Sequence, residues 1–128
     1  MSIAIKLRSV HGLYGVARLD PASPIPDWFD GPGFSALMRA EDELTLVCLQ
    51  ERIPETAEVE PNWRCFRSLG PIPFNATGIV RALIDPLSTQ GIGVFVVCTF
   101  DGEHILVPDA EWARSRELLE QAGHRFEA

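Results

Sequence analysis

The sequence predicts an α+β chain built on an antiparallel sheet with its helices on one face. Two patterns lead there. In the second half, apolar residues alternate between period 2 and period 3.6 in the order strand, helix, strand, strand, helix, strand. In the first half, short alternating segments are separated by Pro- and Gly-rich turns that leave room for no more than one short helical turn. A chain of 128 residues, 46% of them hydrophobic, can bury about 65–70% of the surface its unfolded form exposes, so a core is feasible without staples. One compact domain, or two small lobes sharing a core, is expected.

The first predicted strand is "SIAIKLRS", where strict alternation puts Ile3, Ile5 and Leu7 on one face, and "HG" breaks it. "YGVARLD" and "FSALMRA" read as further strands around the segment "PASPIPDWFDGPG", whose prolines admit one turn near Asp27 to Asp30. "AEDE" turns tightly into "LTLVCLQ", making Phe34 to Leu49 a hairpin. The acidic "ERIPETAEVEPN" carries two prolines and reads as an exposed connection. A lobe boundary is placed there, giving a β-rich lobe over 1–60 and a second lobe over 61–128.

That second lobe opens with the strand "WRCFRSL". "TGIVRALIDPLSTQ" follows as a helix whose Ile79, Val80, Leu83, Ile84 and Leu87 form one apolar stripe. Gly91 is placed as its C-cap, and Pro86 is expected to kink or loosen its last turn through a missing N–H and a clash at the carbonyl of Ala82. "IGVFVVCTF" is strongly β-forming, and Asp101-Gly102 signals a two-residue hairpin into "EHILV". Asp109 is placed to cap a helix running through Ala122, with Trp112, Ser115, Leu119 and Ala122 down one side and Gly123 ending it. "HRFEA" closes as a short strand. The pattern is βαββαβ, that of a ferredoxin-like sheet.

Composition excludes several functions. A formal charge of −7, with 11 Lys and Arg scattered along the chain, repels a phosphate backbone, so no nucleic acid is expected. Cys48, Cys65 and Cys98 lack CxxC spacing and sit in apolar runs, which reads as small buried thiols in a reducing cytosol. "MSIAIKLRSV" has charges where a signal peptide needs an apolar core, and no run approaches a membrane span, so a cytoplasmic protein with no membrane partner is expected. His104, His11 and His124 are read as surface or partly satisfied histidines, since none has a second ligand at metal spacing; no metal is expected. The run Glu41 to Glu43 reads as a solvated turn. Ser35 and Ser68 lack a GxSxG elbow, and "GIG" at 91–93 is neither a P-loop nor a dinucleotide fingerprint. No catalytic residue, no cofactor and no enzymatic activity are expected.

What stands out is the strand–helix loop "GPIPFNATGIV". Pro71 and Pro73 stiffen it, Asn75 or Thr77 can cap the helix, and Gly78 lets a ligand approach the backbone. The free N–H groups and partial positive charge of a helix N-terminus there favour a carboxylate. The plainer alternative is a well-capped turn.

"YGVARLDPASPIPDW", "EDELTLVC", "TGIVRALIDPLSTQGIGVFVVCTF", "HILVP" and "LLEQAGHRF" resemble the small bacterial proteins with an ACT-like domain of the kind found in the CASTOR arginine sensors. The likeness runs from about Tyr14 to Phe126. It implies tandem ACT-like lobes, the first degenerate, and regulatory binding of an amino acid at a lobe or subunit interface. In the related sensors the ligand's amine and carboxylate meet the strand–helix loop, which carries over to Ile72, Pro73, Phe74, Thr77, Gly78, Ile79 and Val80. The side chain is surrounded there by the "TF" segment and an acidic residue, which carry over to Thr99, Phe100, Asp101 and Glu103. Two departures, Cys98 for the serine of "STF" and Glu103 with Gly102 before it, keep arginine specificity from carrying over.

Two functions follow. One is a non-enzymatic amino-acid-binding regulatory module, a homodimer paired through the apolar strand Ile92 to Phe100 or through the sheet face, acting on a regulated protein partner. The other is a protein-interaction and dimerisation module whose ligand pocket is vestigial.

Overall fold

The computed structural model describes residues 3–127. It contains seven strands and two helices among them: β1 (Lys6–Leu19), β2 (Ala36–Arg39), β3 (Leu44–Leu49), β4 (Glu58–Ser68), α1 (Ile79–Ser88), β5 (Phe95–Cys98), β6 (Glu103–Pro108), α2 (Trp112–Gln121) and β7 (Arg125–Phe126). The chain divides into two compact units, His11–Trp63 on one hand and Met1–Val10 with Arg64–Ala128 on the other. β1 and β4 each run from one unit into the other.

In the His11–Trp63 unit, β2, β3 and β1 lie side by side and antiparallel, with Ala36 opposite Val47 and Tyr14 opposite Leu49. Ala40 N–H donates to Glu43 O and closes the expected hairpin. The histidine–glycine pair does not break the first strand as expected. Gly12 sits inside β1 at φ +101°, and a Cβ there would lie 2.7 Å from Leu49 Cδ2, so a residue with no side chain lets the strand bend and continue. The acidic connection is also shorter than expected, because β4 already begins at Glu58.

The core of this unit gathers Ala17, Phe29, Leu44, Leu46 and Cys48. Phe29 comes from the Pro-rich segment, which is tied down by charge. The Arg52 guanidinium donates to the carbonyls of Trp28 (3.2 Å), Phe29 (3.1 Å) and Pro32 (2.8 Å). Arg39 donates to those of Pro21 and Ser23. Where prolines remove backbone donors, arginine supplies them.

The other unit has the expected element order with one insertion. A βαββαβ ferredoxin-like sheet would set its last strand beside its first; here the order is β7, β1, β4, β6, β5, with residues of β1 between them. β7 pairs with β1 in parallel, Lys6 opposite Arg125 and Leu7 opposite Phe126, whereas β5 and β6 pair antiparallel. The alternation that predicted the first strand explains the insertion: Ile5 and Leu7 are buried in this unit's core, while Ile3 is left 39% exposed.

Both helices pack onto that core. Leu83 and Leu87 of α1 and Leu119 of α2 join Phe66, Ile105 and Val107 from the strands. Phe66, Trp112 and Phe126 pack in tilted and edge-to-face pairs at centroid distances of 5.8–6.0 Å. Each helix ends in a Schellman motif on a left-handed glycine. Ile92 N–H bonds to Leu87 O after Gly91 (φ +78°), and His124 N–H bonds to Leu119 O after Gly123 (φ +101°). Asp109 does not cap α2; its carboxylate pairs with Arg64 at 3.4 Å, and a 3₁₀ turn over Asp109–Glu111 precedes the helix.

The second glycine sets up a contact that the sequence reading missed. It turns the chain so that His124, expected at a strand edge, is instead buried. Its Nδ1 accepts from Ile5 N–H at 3.1 Å, so its Nε2 carries the proton and donates to Ala82 O at 2.8 Å. That carbonyl is the one Pro86 cannot serve. The imidazole thus replaces a helix bond with a tertiary one.

Replacing His124 by Ala orphans a buried N–H and a part-buried C=O together. At about 1–3 kcal/mol each, the expected loss is about 2–4 kcal/mol by urea unfolding, with the pairing of β7 affected first in amide exchange. Arg52→Ala should cost about 2 kcal/mol through its lost charge-assisted bonds, with proteolytic cleavage appearing in residues 20–34.

Candidate functional site

Strand β4 ends at Ser68, and the chain reaches α1 through residues 69–78. Gly70 is required where it stands: a Cβ would lie 2.5 Å from Ile72 N and 2.9 Å from Asp101 O. The space it leaves allows Ile72 N–H to donate to Asp101 O at 2.9 Å, pinning this loop to the β5–β6 turn. Ala76 N–H then bonds to Pro73 O, and Gly78 enters the helix at φ +81°.

Neither Asn75 nor Thr77 caps α1, contrary to expectation. The N-cap is Gly78 itself, in the left-handed region and without a side chain to offer, so no side-chain cap closes the helix.

Opposite stands the β5–β6 hairpin, in which Cys98 faces Glu103. Its turn centres on Phe100 and Asp101, one residue earlier than the Asp-Gly signal suggests, with Thr99 N–H donating to Gly102 O at 2.7 Å. Neither Phe100, Asp101 nor Gly102 has a positive φ, so this is not the type I′ turn expected of Asp-Gly. Gly102 has a packing role instead: a Cβ would lie 2.5 Å from Ser68 Oγ. Ser68, itself buried, uses that oxygen to accept from Glu103 N–H at 3.0 Å.

The two segments enclose a cleft of about 300 Å³. Ile72, Pro73, Phe74, Gly78, Ile79 and Val80 line one wall, and Thr99, Phe100 and Glu103 the other. Thr77 and Asp101 fall outside the lining, Asp101 acting only through its carbonyl. Cys98 and Gly102, noted from sequence as departures from the family pattern, belong to it, as do Ala76 and Arg81, which were not singled out. Cys98, expected to be a buried thiol, is exposed, because β5 is only four residues long and lies at the edge of the strand order. Ile92, expected on that strand, is instead buried beneath α1.

Polarity within the cleft is unequal. Glu103 is 7% exposed, and its Oε1 has no hydrogen-bond partner. Burial raises its pKa above the usual carboxylate range, and a hydrogen bond with Ser68 offsets part of the rise. At the mouth, the rings of Phe74 and Phe100 are 79% and 80% exposed, with centroids 5.7 Å apart. His104, the next residue on β6, is half-buried, and burial with the nearby Arg67 charge lowers its pKa to about 4. It is therefore neutral at physiological pH.

A second cleft, of about 560 Å³, lies in the His11–Trp63 unit among Leu13, Leu49, Ile53 and Val59. It is larger, but none of the buried unpartnered polar atoms found among the described residues borders it. Among those residues no cluster of three His, Cys, Asp or Glu side chains could hold a metal ion, and no helix is long and apolar enough to cross a membrane.

Comparison with known proteins bears on the family and the fold. A family profile described as an ACT domain matches residues 58–121, and a second, described as an N-terminal domain, matches residues 12–56. The crystal structure of protein Atu0741 from Agobacterium tumefaciens is 48% identical, with a TM-score of 0.94 over 98% of this chain and 94% of that one. Two more distant structures share the fold alone. The aspartate kinase of Clostridium acetobutylicum is 12% identical, with a TM-score of 0.68 over 95% of this chain and 35% of that one. The regulatory subunit of aspartate kinase from Thermus thermophilus is 11% identical, with a TM-score of 0.52 over 95% and 97%. No match is found among curated proteins. With residues 58–121 matched, half of its 128 residues, the chain belongs to the ACT-domain family.

Proposed function

We propose that this chain is a non-enzymatic regulatory module that binds a small molecule, an amino acid, in the cleft between the 70–80 loop and the β5–β6 turn. One observation carries the reading: the nine-tenths-buried side chain of Glu103, whose Oε1 has no hydrogen-bond partner, borders the same cleft as the uncapped N-terminus of α1. Proteins bury a charge when something pairs with it. A ligand bearing both an ammonium and a carboxylate would satisfy both features of the cleft.

On this reading the second lobe, 61–128, holds the ligand, and the β-rich first lobe, 1–60, is a degenerate ACT-like partner. The Thermus thermophilus neighbour is a regulatory subunit, and here too the output would pass to another protein. β5 lies at the end of the strand order and carries neither Lys nor Pro, which suits pairing with a second copy. Free thiols at all three cysteines suit the cytoplasm. The exposed Phe74 and Phe100 favour a second reading, in which the cleft mouth docks a protein and the pocket is vestigial.

Thermal unfolding against the standard amino acids singly, at millimolar concentration, separates the two. A ligand at a hundredfold excess over its Kd stabilises by about 2.7 kcal/mol, and a flat panel defeats the amino-acid reading. For a cationic partner of Glu103, Glu103→Gln should weaken binding about ten- to a hundredfold, from about 1.5–3 kcal/mol for the charge-assisted bond.

Without ligand the same substitution should stabilise the protein. The folded-state pKa of Glu103 is raised, so the native state holds the proton above pH 4.5, where the unfolded chain has lost it. Wild-type stability therefore falls as pH rises through that window, and the Gln variant lacks this fall. The two proteins should unfold alike at pH 4 and diverge toward pH 8, the variant being the more stable. Light scattering at micromolar concentration should give the mass of a dimer, and a monomeric mass would remove β5 as the pairing edge.

A further inference from the structure

The cleft holds one reactive group that a freely exchanging ligand does not need. Cys98 is the exposed one of three free cysteines, borders the cleft, and stands directly across the β5–β6 ladder from Glu103. Directly opposed residues of an antiparallel pair project from the same face, with Cβ atoms about 4.5–5.5 Å apart. The unpartnered Oε1 of Glu103 is thus within one short aminoalkyl arm of the Cys98 sulfur. The other thiols do not compete: Cys48 and Cys65 are buried, and burial pushes both up, Cys65 to about 12.

We propose that Cys98 is a thiol-exchange site that takes up a small disulfide bearing an ammonium group, holding the tethered half in the cleft with its ammonium on Glu103. The proposal rests on the small-molecule reading of the cleft and adds regulation to it, because a tethered arm occupies the space a free amino acid would need. The Cys98 thiolate attacks one sulfur of the disulfide. A bond forms between the two sulfurs as the original S–S bond breaks, and the electron pair leaves on the other half as a thiolate, which takes up the proton that Cys98 released. Cys98 is oxidised and the incoming disulfide is reduced. A thiol reductant reverses the step and reopens the cleft.

Charge makes the proposal specific. An accessible surface thiol with no ligand site beside it would react with cationic, neutral and anionic disulfides in the order set by the reagents alone. Here a cationic reagent gains a partner in the buried Glu103 and favours its ionised form, which a neutral reagent does not.

The test follows mixed-disulfide formation on the full chain by intact mass and peptide mapping. The reagents are cystamine, hydroxyethyl disulfide and dithiodiglycolate, and each rate is taken relative to an unstructured cysteine peptide. A single adduct on Cys98, with a cystamine preference over the neutral reagent at least tenfold above that of the peptide, is expected. Glu103→Gln should bring that preference down to the peptide's. A preference equal to the peptide's in the wild-type protein, one that survives Glu103→Gln, or an adduct mainly on Cys48 or Cys65 would overturn the proposal. Thermal unfolding of the fully reduced wild-type protein with free amino acids separates this from the parent reading. Stabilisation without selective exchange sinks the thiol site alone, and selective exchange without stabilisation sinks only the amino-acid ligand.

Discussion

The imidazole of His124 receives one hydrogen bond from the N–H of Ile5 and gives one to the carbonyl of Ala82, and the unit that carries the cleft is organised around that exchange. Ile5 brings the start of β1 into the sheet, where Arg125 N–H and Glu127 N–H bond to the carbonyls of Ile5 and Leu7. Ala82 lies in the middle of α1, one turn before the proline that leaves its carbonyl without the usual donor. An imidazole that accepts at Nδ1 and donates from Nε2 serves both groups from one rigid ring. A helix that would otherwise loosen at Pro86 is therefore held against the sheet, and its N-terminus is held at the cleft.

The cleft itself is made by subtraction. Gly70 and Gly102 each stand where a Cβ would collide with a polar atom, Ile72 N in one case and Ser68 Oγ in the other. The contacts they allow, Ile72 N–H to Asp101 O and Glu103 N–H to Ser68 Oγ, tie the strand–helix loop to the hairpin and pull Glu103 inward. The third glycine, Gly78, removes the cap. Sequence reasoning treats glycine as conformational freedom, but only Gly78 of these three has a positive φ; the other two are there for close approach.

What was legible follows from the range of the interactions. Both helices and their Schellman ends could be read because apolar spacing and a glycine after the last turn are local signals. The strand–helix loop that lines the cleft could be located for the same reason, its prolines and glycines being local signals. β1 running through His11-Gly12 could not, because a glycine in a bent strand and a glycine in a break have the same local appearance. The insertion of β1 beside β7 depends on contacts between Ile5 and His124, residues at opposite ends of the chain. Asp109 offers a capping pattern, but Arg64, 45 positions away, takes its carboxylate. Cys98 looked buried because its neighbours are apolar, and only the edge position of β5 exposes it.

The two polar features of the cleft differ in weight. A helix N-terminus contributes about 0.3–1 kcal/mol to an exposed anion, whereas a hydrogen bond to a charged group contributes about 1.5–3 kcal/mol. On the proposed reading, the cation that meets Glu103 therefore governs selection, and the carboxylate at α1 governs orientation. Burial disfavours the charged form of Glu103 and Ser68 offsets part of that penalty, while its Oε1 is left without a hydrogen-bond partner. A cation bound there favours the ionised form that burial disfavours, so occupancy of such a site is tied to pH through the residue that confers its specificity.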